Sequence, residues 1–290
     1  MRENFEKYLA FEKRYSRHTV TAYMNDLEQF EKFVQRTFEI EPEEARHQMI
    51  RSWIVDMMEE GVTERSVNRK LSTLRTYFKF LIREGKLESS PMKRVVPPKQ
   101  SKRLPEFVEN RAMDKLFAEV EFKEGFAGVR DRLILDLFYQ TGMRLSELIN
   151  IKESDVTDTR IKVLGKRNKE RLIPVNEELA SEIRDYIKCK RLEFSDNSEF
   201  LLVTDKGQKL YEKFVYRVVN RYLGETTSMK KKSPHVLRHT FATHMLNNGA
   251  DLNAIKEILG HANLTATQVY THNSIEKLKE VHKLAHPRGA

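Results

Sequence analysis

Apolar positions over the first ~90 residues recur at the 3.6-residue spacing of helices that bury one face. Val20, Tyr23, Leu27, Phe30 and Val34 form one stripe, with Ser16 as its candidate N-cap. Met49, Trp53 and Met57 recur four apart, and Pro42 is placed to open that helix in its first turn. Val67, Leu71, Leu74, Phe78 and Leu81 make a third stripe, opened by Thr63 and stopped at Gly85. The pattern breaks over residues 89–105, which hold Pro91, Pro97, Pro98 and Pro105 and show no helical or strand period. Proline disfavours helix in the residue before it, so an extended linker is expected there.

Beyond Val108 the pattern mixes. Residues 111–120, 129–140, 178–188 and 210–223 carry helical spacing. Residues 160–164 and 170–174 alternate like strands around 165–169, which signals a hairpin, and 200–203 predicts one more short strand. Ser233 and Pro234 read as an N-cap and first helical residue, with Gly249 just past the end of that helix. Asp251 opens another helix, closed by Gly260. The prediction is a mainly α fold with a small β-sheet in the second of two domains. Residues 1–90 form a helical domain, 91–107 a linker, and 108–290 the larger domain.

The chain's 290 residues are enough for two cores. Hydrophobic residues at 39% and charged residues at 33% fit a soluble globular protein. The longest apolar run, 133–139, is broken by Asp136 and is too short to cross a bilayer. The N-terminal MRENFEKYLA lacks the apolar core of a signal peptide. No membrane partner and a cytoplasmic location are therefore expected. The single cysteine, Cys189, allows no intrachain disulfide and makes no zinc site.

A net charge of +9 points to a polyanionic partner only weakly, but its distribution sharpens the case. Arg65, Arg69, Lys70, Arg75, Lys79 and Arg83 follow one another with no acid among them, as do Lys93, Arg94, Lys99, Lys102 and Arg103. Arg65, Arg69 and Lys70 fall between the apolar positions of the third stripe. One helix thus carries a core face and a cationic face, and a DNA-facing surface is expected over a merely solvated one. Arg65, Arg69, Lys70, Arg75 and Lys79, with Lys99, Lys102 and Arg103 of the linker, are the candidate phosphate contacts.

Candidate chemistry lies in four places. Thr141-Gly142-Met143-Arg144-Leu145-Ser146-Glu147 reads as a helix end, a tight turn and a new helix presenting Arg144. The hairpin VLGKRNKERLIPV carries Lys166 at its tip. His235 and Arg238 lie three apart on one helix face. His261 stands nine residues before Tyr270. Each alone has an ordinary explanation: a surface arginine, a solvated lysine, a packed tyrosine.

Together they resemble the tyrosine recombinase family, and within it the Xer type. The pieces that match are TGMRLSELINI, GKRNKERLIPV, SPHVLRHTFATHML, LGHANLTATQVYTH and the terminal HPRG, in the family's order. The resemblance implies an N-terminal SAM-like core-binding domain and a catalytic domain clamping duplex DNA from opposite faces. It implies a catalytic set of Arg144, Lys166, His235, Arg238, His261 and the nucleophile Tyr270. It implies strand exchange through a Holliday junction in a tetramer of this chain or with a paralogous recombinase. From the Xer resemblance alone follow chromosome dimer resolution, a septal DNA translocase as activating partner, and a tail helix over 274–286 that packs into a neighbouring subunit.

The chemistry fits the residue types. In-line attack on a phosphodiester gathers negative charge on its non-bridging oxygens. Arg144 and Arg238 suit a bidentate grip on them, and His261 suits one further hydrogen bond. Lys166 suits the general acid for the departing 5′ oxygen. His235 is left as proton acceptor or positioning group. No phosphate loop or carboxylate cluster is evident, and the mechanism needs no cofactor and no metal. Glu147 orients Arg144 or caps a helix. Lys169 and Arg171 are expected on phosphates, His239 and His244 in structural roles, and Thr271-His272 in shaping the nucleophile's loop. The chain is too short for the extra arm-binding domain of lambda-type phage integrases, which favours a housekeeping enzyme. A mobile-element integrase, a type IB topoisomerase and a catalytically silent DNA-binding regulator are the alternatives.

Overall fold

The computed structural model describes residues 1–100, 106–165, 169–195, 198–260 and 272–288, apart from the side chains of 272–277 and 279. The chain divides into two compact units, Met1–Arg103 and Leu104–Ala290. Among the described residues no helix is long and apolar enough to cross a membrane.

The first unit contains α1 (Arg2–Lys7), running into a π turn at Tyr8–Glu12, then α2 (Arg17–Phe38), α3 (His47–Glu59) and α4 (Glu64–Arg83). Ser16 caps α2 by accepting from the Thr19 amide, and Thr63 caps α4 by accepting from Ser66, as their positions predict. The three stripes meet in one core, where Phe30 packs against Trp53 and Phe78 with ring centroids 5.0 and 6.5 Å apart.

Two local expectations fail here. Pro42 opens a separate 3-10 turn, Pro42–Glu44, and α3 starts only at His47. That turn is pinned to α4 by Tyr77, whose hydroxyl donates to Glu43 at 2.8 Å. The stretch after Ser89, expected to be extended, contains a second 3-10 turn, Pro91–Arg94. Met92 and Val95 are buried in the first unit's core. Arg51 donates to the Arg94 carbonyl and Asn68 to that of Pro98, which holds the segment along the same unit.

The second unit contains α5 (Asn110–Ala118), α6 (Gly125–Thr141), the short α7 (Leu145–Leu148), β1 (Val156–Thr157), β2 (Arg160–Leu164), β3 (Glu170–Pro174), α8 (Glu177–Glu193), α9 (Glu212–Thr226), α10 (Pro234–Asn247), α11 (Leu252–Leu259) and α12 (His272–Ala285). The strands form an antiparallel sheet in the order β1-β2-β3, with Arg160 opposite Pro174 and Leu164 opposite Glu170. Ile161, Val163 and Ile173 point into the core. Helix α6 is buried on nearly every side, from Leu133 to Thr141, and so forms a rigid post leading to the site. Residues 200–203 do not form a strand: Phe200 and Val203 make only isolated bridges, to Lys152 and Lys209. The buried Lys190 ammonium takes the carbonyls of Ser198 and Phe200, which a strand ladder would otherwise use.

In the single chain the tail helix α12 packs within its own unit. Leu278, His282, Ala285 and His286 are buried there, while Leu284 is exposed. The Nε2 atoms of His282 and His286 lie 2.7 and 3.0 Å from the carbonyls of Gln140 and Tyr139. Arg288 reaches Asp136 on α6 at 2.5 Å and also pairs with Glu178 on α8. Burial lowers both imidazoles from their ordinary range, His286 to about 3, so His286 docks as a neutral ring.

Candidate active site

Helix α6 stops because Gly142 takes a left-handed conformation, φ +59°, with its amide donating to Phe138. Only glycine fits. A Cβ there would lie 2.4 Å from a Phe241 ring carbon and 2.8 Å from a Leu259 methyl. The chain then turns through buried Met143 to Arg144, which caps α7. Its guanidinium is half-buried, donating from Nη1 to Glu147 at 2.7 Å and from Nη2 to the Gly260 carbonyl at 2.9 Å.

Arg238 comes to the same place from the first half of α10. Its Nη1 donates to the Gly142 carbonyl at 2.6 Å and its Nη2 to that of Leu259 at 2.8 Å. Arg171 arrives from β3. Its Nη1 and Nη2 form a fork on the two Glu147 carboxylate oxygens, at 2.7 and 2.8 Å, and its Nε donates to Ile258 at 2.7 Å.

Three arginines from three elements thus take three consecutive carbonyls, Ile258, Leu259 and Gly260. These belong to the last turn of α11, where helix carbonyls lack intrahelical partners and the helix dipole is negative. Asp251 caps the start of that helix and Gly260, at φ +65°, ends it, one residue before His261. The local signals at Gly142, Asp251 and Gly260 therefore build the meeting point.

Its electrostatics favour an anion. Among the described residues one carboxylate, Glu147, pairs with Arg144 and Arg171, and its charge also acts on Arg238. Burial alone raises the Glu147 carboxyl, but the Arg171 bond and charge, with Arg144 behind them, hold it down at about 2. Burial first, then the charges of Arg144 and Arg171, lowers Arg238 to about 10. Arg238 stays protonated at neutral pH, in surroundings that an added negative charge would relieve. Arg144 keeps 26% of its side-chain surface exposed, so a ligand can reach it.

His235 is exposed on the first turn of α10, three residues before Arg238. Lys166, His261 and Tyr270 lie outside the described residues, as do Lys102, Arg103 and Thr271. The hairpin that carries Lys166 is formed as expected, and its ends meet where the Gly165 amide donates to Lys169 at 2.8 Å. Lys169 is exposed beside it. His244 is structural as expected, with Nδ1 3.0 Å from the buried Tyr139 hydroxyl, and His239 is half-buried. Glu147 fills both roles offered for it, because its carboxylate accepts from the Arg144 backbone amide as well as from the guanidinium.

Two expected phosphate contacts are corrected. Arg171 is 4% exposed and fully engaged by protein groups. Lys70 is 7% exposed and points into the first unit, where its ammonium meets Asp26 at 3.3 Å and also Gln29. Both side chains turn into their own units instead of lying on the surface. Arg69 is exposed but also pairs with Asp26, and Arg83 pairs with Glu12. Arg65, Lys79 and Lys99 are exposed and Arg75 is half-buried. The signal for Arg171 was available: in a strand it shares a face with Ile173, two residues on.

Residues 102–277 match the phage integrase family, and residues 3–85 match the phage integrase N-terminal SAM-like domain. The chain is 39% identical to the tyrosine recombinase XerC of Staphylococcus saprophyticus, covering 97% of this chain and 95% of that one. It is 37% identical to the XerC of Bacillus subtilis, covering 98% and 95%. Its fold is similar to that of XerH site-specific recombinase bound to palindromic difH substrate, with TM-score 0.73 at 21% identity over 98% of this chain and 84% of that one. It is also similar to a lambda integrase (75-356) dimer bound to a COC′ core site, with TM-score 0.70 at 20% identity over 92% and 97%.

Proposed function

This chain belongs to the phage integrase family as a site-specific tyrosine recombinase of the Xer type, an enzyme that breaks and rejoins DNA, and we propose that it resolves chromosome dimers at cell division. The observation that carries the chemistry is the convergence of Arg144 and Arg238 on the end of α11, with one carboxylate among three guanidiniums in the described residues. Such a site is built for the phosphoryl group of a transition state.

In this reading the Tyr270 oxygen attacks the phosphorus in line and the bond from phosphorus to the 5′ oxygen breaks. Lys166 gives that oxygen its proton, and the phenol proton leaves to His235 or to water. The product is a 3′-phosphotyrosine and a free 5′ hydroxyl. A 5′ hydroxyl from the partner duplex reverses the step and expels the phenolate, whose pKa near ~10 makes it a competent leaving group. The ester conserves the bond energy, so religation needs no nucleotide. Arg144, Arg238 and His261 hold the phosphoryl oxygens throughout. Exchange passes through a Holliday junction in a tetramer of this chain or with a paralogous recombinase. A cytoplasmic location, expected from the sequence, and activation by a septal DNA translocase, which rests on the Xer resemblance alone, complete the reading.

The covalent adduct is the test. Protein still linked to DNA after denaturation is recovered from cells, the attached DNA is sequenced, and the protein is digested. The expected product is a nucleotide 3′-phosphate on the peptide that holds Tyr270, with the DNA drawn from one recurrent chromosomal site. No adduct, or an adduct on another residue, refutes the mechanism. DNA drawn from the ends of a mobile element instead favours an integrase.

The first unit's basic surface makes a separate prediction. Arg65→Ala and Lys79→Ala lower the salt dependence of DNA binding, by roughly 0.9 in log–log slope for each phosphate left without its cation. Lys70→Ala leaves that slope unchanged and instead costs about 1–3 kcal/mol of stability, because Asp26 loses a buried partner. Salt titrations of binding and urea melts of the three variants check both halves.

A further inference from the structure

Arg171 stands where three parts of the site meet. Through its fork on Glu147 it reaches Arg144, since Oε1 of Glu147 accepts from both arginines. Through Nε it holds the Ile258 carbonyl, three residues before His261, and Gly260 sits directly against it: a Cβ on Gly260 would lie 3.0 Å from Arg171 Cδ. The third part is the hairpin. A Cβ on Gly165 would lie 3.7 Å from both Arg171 Nη1 and Glu147 Oε1, so the root of the hairpin rests on the ion pair itself. Gly165 immediately precedes Lys166.

A buried charge held this way is a poor device for stability alone. Taking a guanidinium and a carboxylate out of water costs about as much as their attraction returns, and apolar side chains would pack there at least as well. What the pair adds is direction. Its planar fork fixes β3 against α7 and α11 at a defined distance and angle, which an apolar contact would not.

We propose that Arg171 is a positioning residue for the DNA cleavage step: its pairing with Glu147 sets the base of the Lys166 hairpin against the Arg144–Arg238 phosphate grip, so that the leaving 5′ oxygen meets its proton donor. Arg171 touches no DNA. It acts through Lys166. The inference rests on the recombinase reading above, in which Lys166 is the acid.

The test uses the full chain and a nicked duplex carrying the site recovered with the covalent adduct. Two versions are made, one with the natural 5′ bridging oxygen at the cut and one with sulfur there. A thiolate leaves without being protonated, so the sulfur substrate does not need the acid. Arg171→Lys keeps the charge beside Glu147 but loses the fork. The expected result is DNA binding and Tm close to wild type, adduct formation slowed about 100-fold on the oxygen substrate, and a loss at least ten times smaller on the sulfur substrate. In a Lys166→Ala background, Arg171→Lys adds little further loss on the oxygen substrate. A merely structural role slows both substrates alike and multiplies with Lys166→Ala, and either outcome overturns the proposal, as does a wild-type rate. Should Arg171→Lys fail to fold, Gly165→Ala serves in its place, because its Cβ would press on the Lys169 carbonyl across the hairpin root at 3.3 Å while meeting the ion pair only at ordinary contact distance, and the same contrast between substrates is expected. If the wild-type chain itself forms no adduct on either duplex, the recombinase reading fails rather than this one.

Discussion

Arg238→Ala slows formation of the covalent adduct by about 10³- to 10⁵-fold, equivalent to roughly 4–7 kcal/mol of transition-state stabilisation. The size follows from where the guanidinium sits. It is 8% exposed and held from two sides, by the Gly142 and Leu259 carbonyls. No reorganisation is needed when charge develops on the phosphoryl oxygens, and little water competes for them. The ground state shows the complementary cost, because burial and the neighbouring Arg144 and Arg171 lower this arginine to about 10. A bound anion removes that cost. Sulfate or phosphate should therefore raise the Tm of the wild type more than that of Arg238→Ala. Arg238→Lys should not recover the rate, because one ammonium cannot hold two carbonyls in the plane of a fork. Site binding should change only a few-fold, since most of its affinity comes from phosphate contacts elsewhere. Single-turnover cleavage of a nicked substrate measures the effect, and a loss below about 10-fold would place Arg238 outside the reacting phosphate.

The same physics explains which parts of the molecule were legible in its sequence. Helix stripes, caps and the Gly142 and Gly260 ends were readable because each depends on residues within a turn or two of itself. The stretch free of acid between Arg65 and Arg83 was misleading because charge compensation is tertiary. Asp26 lies about forty residues earlier, on the buried side of α2 beside Leu27, and it meets Lys70, Arg69 and Thr73 across the helix interface. The periodicity itself carried a warning, since Lys70 is three past Val67 and four before Leu74, on the apolar face. Residues 200–203 show the same limit: their apolar run predicts a strand, but the Lys190 ammonium takes the carbonyls first. For α12, periodicity identifies a buried face without saying what buries it. The answer, the carbonyls of Tyr139 and Gln140 just before Arg144, lies some 140 residues away. The site residues were nameable from their types and order. Glu147 and Arg171, which orient them, became intelligible only once β3, α7 and α11 were seen to converge.

Glu147→Ala should therefore damage stability as well as catalysis. Among the described residues Glu147 is the one carboxylate bonded to Arg144 and Arg171, and Arg171 is buried. Removing it strands a guanidinium in the core, which costs about 3–5 kcal/mol and lowers Tm by roughly 6–20 °C for a unit of this size. Glu147→Gln keeps the shape and some hydrogen bonds, so its loss should be smaller. The pH dependence separates the charge from the packing. The carboxyl titrates at about 2 in the folded protein against 4.5 ordinarily. A depressed folded value means the carboxylate's contribution is fully present above pH 4.5 and is lost as pH falls from 4.5 towards 2. The span corresponds to about 3 kcal/mol. Denaturant melts across that window should show the wild type losing stability more steeply than Glu147→Gln, the two curves converging as the carboxylate becomes protonated. Parallel curves would mean that Glu147 supports the site by its shape, and that the charge which Arg144 and Arg171 share is not what holds them in place.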